Sequence, residues 1–359
     1  MVADHFGVVK AAAVQASSVL LDREASTQKA CELIREAGAN GAEFVVFPEG
    51  FLPGHPSWFH FHPATSRLAH DLNVELFKNA VIAPGPETEQ LARAAGDAGA
   101  YVVIGVCERP SATSGSMFNT QLYFSPDGRY LGKHQKLMPT VGERIVHAYG
   151  WGDTLGCFET GFGPASSLVC GENSNPLAMF ALIAGGTRVH AMSWPPHFML
   201  AGKGTPDMPD TALVTARAFA LSSKAFVVSA SGVVDDDYFR KLEVPDALAA
   251  RLRTGEGQGG SVIVAPSTEV IGGPLEGGVE GIVYAEMDMD LWVRLKLIQD
   301  FSGHYNRPEI LRLQVDRTGH SHTATAASDV PAGSRDEPSA SLPGGLSDPA
   351  AAVRAVDVS

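Results

Sequence analysis

Three residues of reactive type each stand at the end of a short element. Glu49 follows Phe44-Val45-Val46-Phe47, Lys136 follows a hairpin, and Cys170 follows Ser166-Ser167-Leu168-Val169. A thiol, a carboxylate and an ammonium group are together the parts of a covalent hydrolysis. The thiolate attacks an electrophilic carbon, the carboxylate moves the proton, and the cation steadies the developing charge. The residues around Cys170 favour a sulfur facing a cleft. A buried strand leads to it, and Gly171 follows with an unhindered backbone N–H. Asn175 suits a helix N-cap, Pro176 the first helical turn, and Gly185-Gly186 the stop. This is the pattern of a nucleophile elbow. A lone cysteine is also a common core residue, and on this stretch alone the two readings stand level. Lys133-His134-Gln135-Lys136, taken alone, reads as a solvated basic hairpin end, and a carboxylate placed like Glu49 either caps a neighbouring element or points into a site.

The elements that must carry these residues alternate in type. Val8 to Val14 reads as a first strand. Ala30, Leu33, Ile34 and Ala37 fall at i, i+3, i+4 and i+7, an amphipathic helix ended by Gly38. Phe44 to Phe47 is a continuous apolar strand of the kind buried on both faces. A second helix carries Leu91, Ala94, Ala95 and Ala98, and Tyr101 to Cys107 is another strand. Thr120–Phe124 and Tyr130–Lys133 flank the turn Pro126-Asp127-Gly128, a hairpin with strong turn chemistry. The helix from Leu177 to Ala184 is apolar on every side and is expected to be buried. Beyond it lie the strand Val189–Ser193, a helix over Thr211–Ser223, the strands Ala225–Ser231, Ser261–Ala265 and Gly281–Met287, and a helix over Leu291–Asp300. Strands alternating with helices and hairpins predict an α/β sandwich with active residues at strand ends.

The loop Gly50 to Ser66 holds Phe51, His55, Trp58, Phe59, His60, Phe61 and His62, and loops this apolar wall a pocket or an interface. No cysteine or carboxylate stands near His60 and His62 in a ligand spacing, so these read as loop histidines and no metal is expected. A net charge of -13 without a basic stripe argues against nucleic acid. No apolar run approaches the roughly 18 residues of a membrane span, and no basic segment precedes an apolar block in Met1–Lys10, so no membrane partner and a cytoplasmic location are expected. The four cysteines form no C-x-x-C pair and are expected to stay reduced. From Val315 the composition shifts to His, Ser, Thr, Ala, Pro and Gly, which predicts over 315–359 a flexible tail, disordered or ordered only against a partner subunit, behind a catalytic domain over 1–314.

The motifs around the three residues resemble those of the nitrilase family of carbon–nitrogen hydrolases. Phe47-Pro48-Glu49-Gly50-Phe51-Leu52-Pro53-Gly54 is similar to the family's glutamate segment. Lys133-His134-Gln135-Lys136-Leu137-Met138-Pro139-Thr140, with Glu143-Arg144, is similar to its lysine segment, and Cys170-Gly171-Glu172-Asn173 to its nucleophile segment. Trp151-Gly152-Asp153, Trp194-Pro195-Pro196 and Gly303-His304-Tyr305-Asn306-Arg307-Pro308 follow in family order, so the resemblance covers about Val8 to Arg312. It departs at Gly171, where many nitrilases carry tryptophan, and this bears on pocket shape and substrate range.

The resemblance implies an α-β-β-α sandwich that stacks in a dimer as α-β-β-α-α-β-β-α, a homo-oligomer that in many members extends into spirals, and no cofactor. It implies a small organic nitrile as substrate. Cys170 would be the nucleophile, Glu49 the general base and Lys136 the stabiliser of developing charge. Glu143 would hold Lys136 or orient the substrate. Trp58, His134, Gly171, Asn173, Trp194 and Pro195 are candidates for substrate contact, with His134 either lining the pocket or closing the hairpin. An amidase or carbamoylase, a nitrile- or cyanide-hydrating relative, and a catalytically silent assembly protein are the alternatives. His134-Gln135-Lys136 and Trp151-Gly152-Asp153 favour nitrilase over the first, and the intact Glu49, Lys136 and Cys170 speak against the last.

Overall fold

A computed structural model describes residues 7–198 and 207–319. The strands in chain order are β1 (Val8–Gln15), β2 (Phe44–Val46), β3 (Tyr101–Glu108), β4 (Phe118–Phe124), β5 (Tyr130–Gln135) and β6 (Cys157–Phe158). They continue with β7 (Ala165–Val169), β8 (Val189–Trp194), β9 (Phe226–Ser231), β10 (Val262–Val264), β11 (Val270–Gly272) and β12 (Gly281–Asp288). The helices are α1 (Arg23–Ala39), α2 (Arg67–Asn79), α3 (Pro86–Ala98), α4 (Pro176–Ala184), α5 (Met208–Ser223), α6 (Asp236–Lys241), α7 (Asp246–Leu252) and α8 (Met289–Ile298).

Two six-stranded mixed sheets result, ordered β12-β1-β2-β3-β4-β5 and β11-β10-β9-β8-β7-β6. The period-two pattern of β1 shows how they stack. Val9, Ala11 and Ala13 enter a buried cluster with Ala191, Val228 and Ile263 of the second sheet, whereas Ala12 and Val14 meet Ala30 and Ile34 of α1 and Leu91 of α3 on the opposite face. On the far side, Ala178 and Leu182 of α4 and Ala216 and Phe219 of α5 cover the second sheet. The layers are therefore α-β-β-α, the expected sandwich. Among the described residues no helix is long and apolar enough to cross a membrane.

Two local expectations differ from what is found. Helix α4 is not buried all round: Ala178, Ala181, Leu182 and Ile183 face the sheet, but Leu177 is 62% exposed. A helix lying on one sheet covers it with a single stripe, so uniform apolarity leaves an outward apolar face. Helix α1 runs past Gly38 to Ala39, with Asn40 as its C-cap. The predicted tail lies outside the described residues from position 320 onward. Before that point Val315 packs against the second-sheet core and Arg317 Nη1 donates to the Leu155 carbonyl at 2.6 Å. Contacts with the body of the fold thus continue to Arg317.

Candidate active site

Glu49 is delivered by a segment that continues the pairing of β2. Phe47 N donates to Val103 O at 2.8 Å and Leu52 N to Gly105 O at 3.2 Å, so the chain keeps running along β3. The same segment is tied to the second sheet, because Glu49 N donates to Trp194 O at 3.1 Å and Ser193 Oγ to Phe47 O at 2.8 Å. Gly50 turns the chain at a φ of +60°, where a side chain is strained. Gly105 is required for space: a methyl group there would strike the Pro48 carbonyl oxygen and lie 2.8 Å from Glu49 Cα.

Lys136 follows β5 and keeps its ladder going by donating its N–H to Asn119 O at 2.8 Å. Far from a solvated hairpin end, its side chain is 1% exposed. Nζ lies 3.0 Å from Glu49 Oε1 and 2.6 Å from Glu143 Oε2. Burial alone would lower its pKa, but the two carboxylates hold it well above the ordinary lysine value, so it is a cation.

Cys170 follows β7 at a φ of +52° and begins a 3-10 turn over Cys170–Ser174. A non-glycine residue in the left-handed region costs roughly 1–3 kcal/mol and persists only where its surroundings dictate it. Here they do. Asn173 Nδ2 donates to the carbonyls of Leu168 at 3.1 Å and Cys170 at 2.9 Å. Asn173 Oδ1 accepts from His190 Nε2 at 2.8 Å, which leaves His190 Nδ1 to accept from Ser166 Oγ at 2.7 Å.

Glu172 ties this turn to the lysine segment. Its Oε1 accepts from Leu137 N at 2.8 Å, and its Oε2 from Val169 N at 3.1 Å and His134 Nε2 at 2.9 Å. His134 Nδ1 faces the Thr154 carbonyl at 3.2 Å. Both ring nitrogens therefore meet acceptors and both must carry a proton. Although burial opposes it, the Glu172 charge holds His134 above its ordinary pKa, and the same pair holds Glu172 below its own.

The two carboxylates beside Lys136 are not equivalent. Glu143 is saturated: Oε2 accepts from Lys136 and from Thr140 N at 2.8 Å, and Oε1 accepts from Asn119 Nδ2 at 2.7 Å and His147 Nδ1 at 3.1 Å. Burial pushes its pKa up, but Lys136 and His147 bring it well below the usual carboxylate range. Glu49 gives only Oε1 to Lys136 and to Asn119 Nδ2, at 2.6 Å. Its Oε2 is buried with no hydrogen-bond donor among the described residues. Burial raises Glu49, with Lys136 opposing it and Glu143 adding to it. One carboxylate is thus a fixed anion, and the other keeps a free oxygen and an elevated affinity for a proton.

Glu49, Lys136, Glu143 and Cys170 line one cavity of about 130 Å³, with His55, Phe59, His60, Thr140, Val141, Pro195 and Phe198 as the rest of its wall. Burial, with the Glu49 charge adding to it, holds the Cys170 thiol well above its ordinary pKa. Lys136 and the Gly171 N–H pull the other way. The resting pair is therefore a protonated thiol beside a proton-seeking carboxylate, and a proton can pass between them when a substrate arrives.

Of the residues expected to contact substrate, Pro195 lines this cavity and Gly171 borders its nucleophile. The others serve it from behind. Trp58 is 1% exposed and donates its Nε1 to Asn73 Oδ1 at 3.0 Å. Trp194 is fully buried in the second-sheet core, and His134 and Asn173 hold the elbow as described. His55 and Phe59, from the aromatic loop expected to wall a pocket or an interface, complete the site together with Asn119 and Phe198, which no sequence signal marks. Phe59, directly after Trp58, was recognisable only as one more aromatic of an apolar loop. Among the described residues no three His, Cys, Asp or Glu side chains are grouped to hold a metal ion; His62 Nε2 donates to Leu242 O at 2.7 Å.

The chain is similar to known proteins along most of its length. The carbon-nitrogen hydrolase family profile matches residues 10–296. The chain is 36% identical to Nitrilase 3 of an unknown prokaryotic organism, over 92% of this chain and 97% of that protein. It is also 36% identical to a bifunctional nitrilase/nitrile hydratase of Lupinus angustifolius, over 89% and 90% of the two. The crystal structure of Saccharomyces cerevisiae Nit3, a member of branch 10 of the nitrilase superfamily, superposes with a TM-score of 0.62 at 20% identity, covering 83% of this chain and 97% of that one. By its sequence, its layers and the match along most of its length, the chain belongs to the carbon-nitrogen hydrolases of the nitrilase superfamily.

Proposed function

We propose that the protein is a nitrilase that converts an organic nitrile to the carboxylic acid and ammonia through Cys170. The observation that carries this reading is the meeting of Cys170, Lys136 and the free Oε2 of Glu49 in one cavity. Glu49 takes the thiol proton as Sγ bonds to the nitrile carbon. Glu49 passes that proton on to the nitrogen that gains the electron pair and so returns to its carboxylate form, and Lys136 and the Gly171 N–H steady the charge, donors of a kind each contributing about 10²–10³ in rate. The product is a thioimidate. Water, deprotonated by Glu49, adds to its carbon. Expulsion of ammonia leaves a thioester, which a second water hydrolyses to the acid. Expulsion of the thiol from the same tetrahedral carbon yields the amide instead.

Glu143, with every acceptor position occupied, acts in this scheme by holding Lys136 and not as a base. A homo-oligomer is part of the proposal. Leu177 of α4 and Val214 and Leu221 of α5 are 62%, 67% and 54% exposed, an apolar outer helix layer suited to a second copy. A monomer by light scattering at about micromolar concentration would refute it. A reducing, cytoplasmic setting fits four unpaired cysteines. The test of activity is ammonia release from nitriles and their matching amides, with wild type and Cys170→Ala side by side and products separated. Cysteine-dependent acid and ammonia from nitriles is the expected result. Turnover of amides alone makes the protein an amidase, and amide as the sole product makes it a hydratase.

A further inference from the structure

We infer that the cavity selects an uncharged nitrile whose organic group is no larger than a single ring, and that Phe59 sets this limit. The inference rests on the nitrilase reading and deepens it. The cavity measures about 130 Å³. An apolar cavity of about 150 Å³ holds one benzene, whereas drug-sized ligands need roughly 300 Å³ or more. One ring, or a branched chain of similar bulk, is what fits beyond the reacting carbon.

Polarity is confined to one end. There the Lys136 charge is balanced by Glu49 and Glu143 and its remaining N–H serves the reacting nitrogen, while Glu143 has every acceptor position filled, so neither is left over for a charged group elsewhere on the substrate. Away from them the wall consists of Phe59, His60, Val141, Pro195 and Phe198, with His55 beside Glu49. Burial brings His55 to about 3 and His60 to about 4, so both are neutral at neutral pH. Among the described residues the cavity therefore has no unpaired cation for a carboxylate, and its one open carboxylate oxygen, Glu49 Oε2, is the catalytic base, which an ammonium group could reach only by taking the reacting position. A charge entering this wall would lose its hydration without a partner.

Phe59 is fixed from two sides. His60 lies against its ring with centroids 4.3 Å apart, and His55 meets it edge-on at 5.8 Å. Behind it stands Gly142, where an added methyl group would come within 2.7 Å of Phe59 Cδ2. On this side the ring sits close against the Gly142 backbone of the segment that carries Glu143. It is a hard wall.

The experiment compares kcat/KM for four nitriles: a benzonitrile, its carboxylate-bearing analogue, an ammonium-bearing analogue and a naphthonitrile, each with the matching amide, on wild type and Phe59→Ala. The expected result is that wild type prefers benzonitrile by roughly 10²-fold or more over either charged analogue and over the bicycle. Phe59→Ala is expected to raise the bicycle-to-monocycle ratio about tenfold or more while leaving the discrimination against charge in place. Equal turnover of charged and neutral nitriles, or an unchanged size ratio in Phe59→Ala, overturns the inference while leaving the nitrilase reading intact. If amides alone are hydrolysed, the nitrilase reading fails, and the same order of size and charge is then read on the amides.

Discussion

Replacing Asn119 with leucine probes how two neighbouring carboxylates are kept at different tasks. The Asn119 amide gives one hydrogen to Glu49 Oε1 at 2.6 Å and the other to Glu143 Oε1 at 2.7 Å. Leucine keeps the branched outline and donates nothing. A hydrogen bond to a charged group contributes roughly 1.5–3 kcal/mol. The bond to Glu49 favours its charged form and opposes the burial and the Glu143 charge that raise its pKa. Losing it moves the acid limb of kcat/KM upward by about one to two pH units, at about 1.4 kcal/mol per unit. Below the limb this is a roughly tenfold to hundredfold loss of kcat/KM. Stability falls by about 3 kcal/mol, two such bonds at the lower edge of their range, within a total that is commonly about 5–15 kcal/mol. Glu143→Gln supplies the control of sign. It removes a negative charge that raises Glu49, so the limb moves down, even as kcat falls because Lys136 loses a partner. Initial rates of ammonia release across about pH 5 to 9 read both limbs, and urea melts read both stabilities. A limb that stays in place in Asn119→Leu, or moves the same way in both variants, refutes the reasoning.

The His134–Glu172 pair makes a stability prediction with a pH window. Glu172 is held below its ordinary 4.5, so its share is present above that value and lost as pH falls through the lowered pKa. His134 is held above its ordinary 6.5, so its share is present below that value and lost as pH rises through the raised pKa. His134→Phe should therefore destabilise by about 3–5 kcal/mol between these two values and by less on either side, measured by urea melts; a pH-independent difference would sink the ion-pair account. Resting Cys170 is a thiol held well above its ordinary pKa, so its alkylation by iodoacetamide should accelerate about tenfold per pH unit without a plateau below about pH 9. A plateau near neutrality would instead reveal a preformed thiolate. Gly105→Ala should cut kcat by roughly 10²-fold while KM changes little, because the methyl group pushes on the Glu49 backbone; wild-type kcat in that variant argues against the close approach. Prolonged dialysis against a metal chelator should leave activity unchanged, and loss restored by a divalent cation would contradict the mechanism.

Glu49, Lys136 and Cys170 were legible because each sits at an abrupt transition. A buried strand feeds a Pro-Glu-Gly turn, a turn-marked hairpin feeds the lysine, and a strand meets an asparagine-capped helix. What sequence patterns do not carry is which way a polar side chain inside a strand will point. Asn119 lies within β4, paired with Cys107 of β3, and nothing local marks it as the donor between two distant carboxylates. The same limit explains the pocket. In the 3-10 turn Ser57–His60 consecutive residues face different ways, so Trp58 turns to Asn73 of α2 and Phe59 to the cavity. Helix α2 carries little sequence signal, since its buried face is only Ala69, Leu72 and Leu76 beneath a polar exterior. Uniform apolarity in α4 concealed the opposite case, an outward stripe that the sandwich alone does not cover.

The floor of the cavity and its walls have different attachments. Glu49 is laced into both sheets through Val103, Gly105 and Trp194, and Gln121 Nε2 donates to Ser193 Oγ at 2.8 Å just beneath, so the floor inherits the rigidity of the whole sandwich. Phe59, Val141 and Phe198 hang from connecting segments that take no part in either sheet. Such a division gives variation two separate scales. Drift at the three wall positions re-shapes the admitted molecule within one lineage, whereas any change in the floor must be accepted by twelve strands at once. A laboratory library confined to positions 59, 141 and 198 would explore new feedstocks on unaltered chemistry.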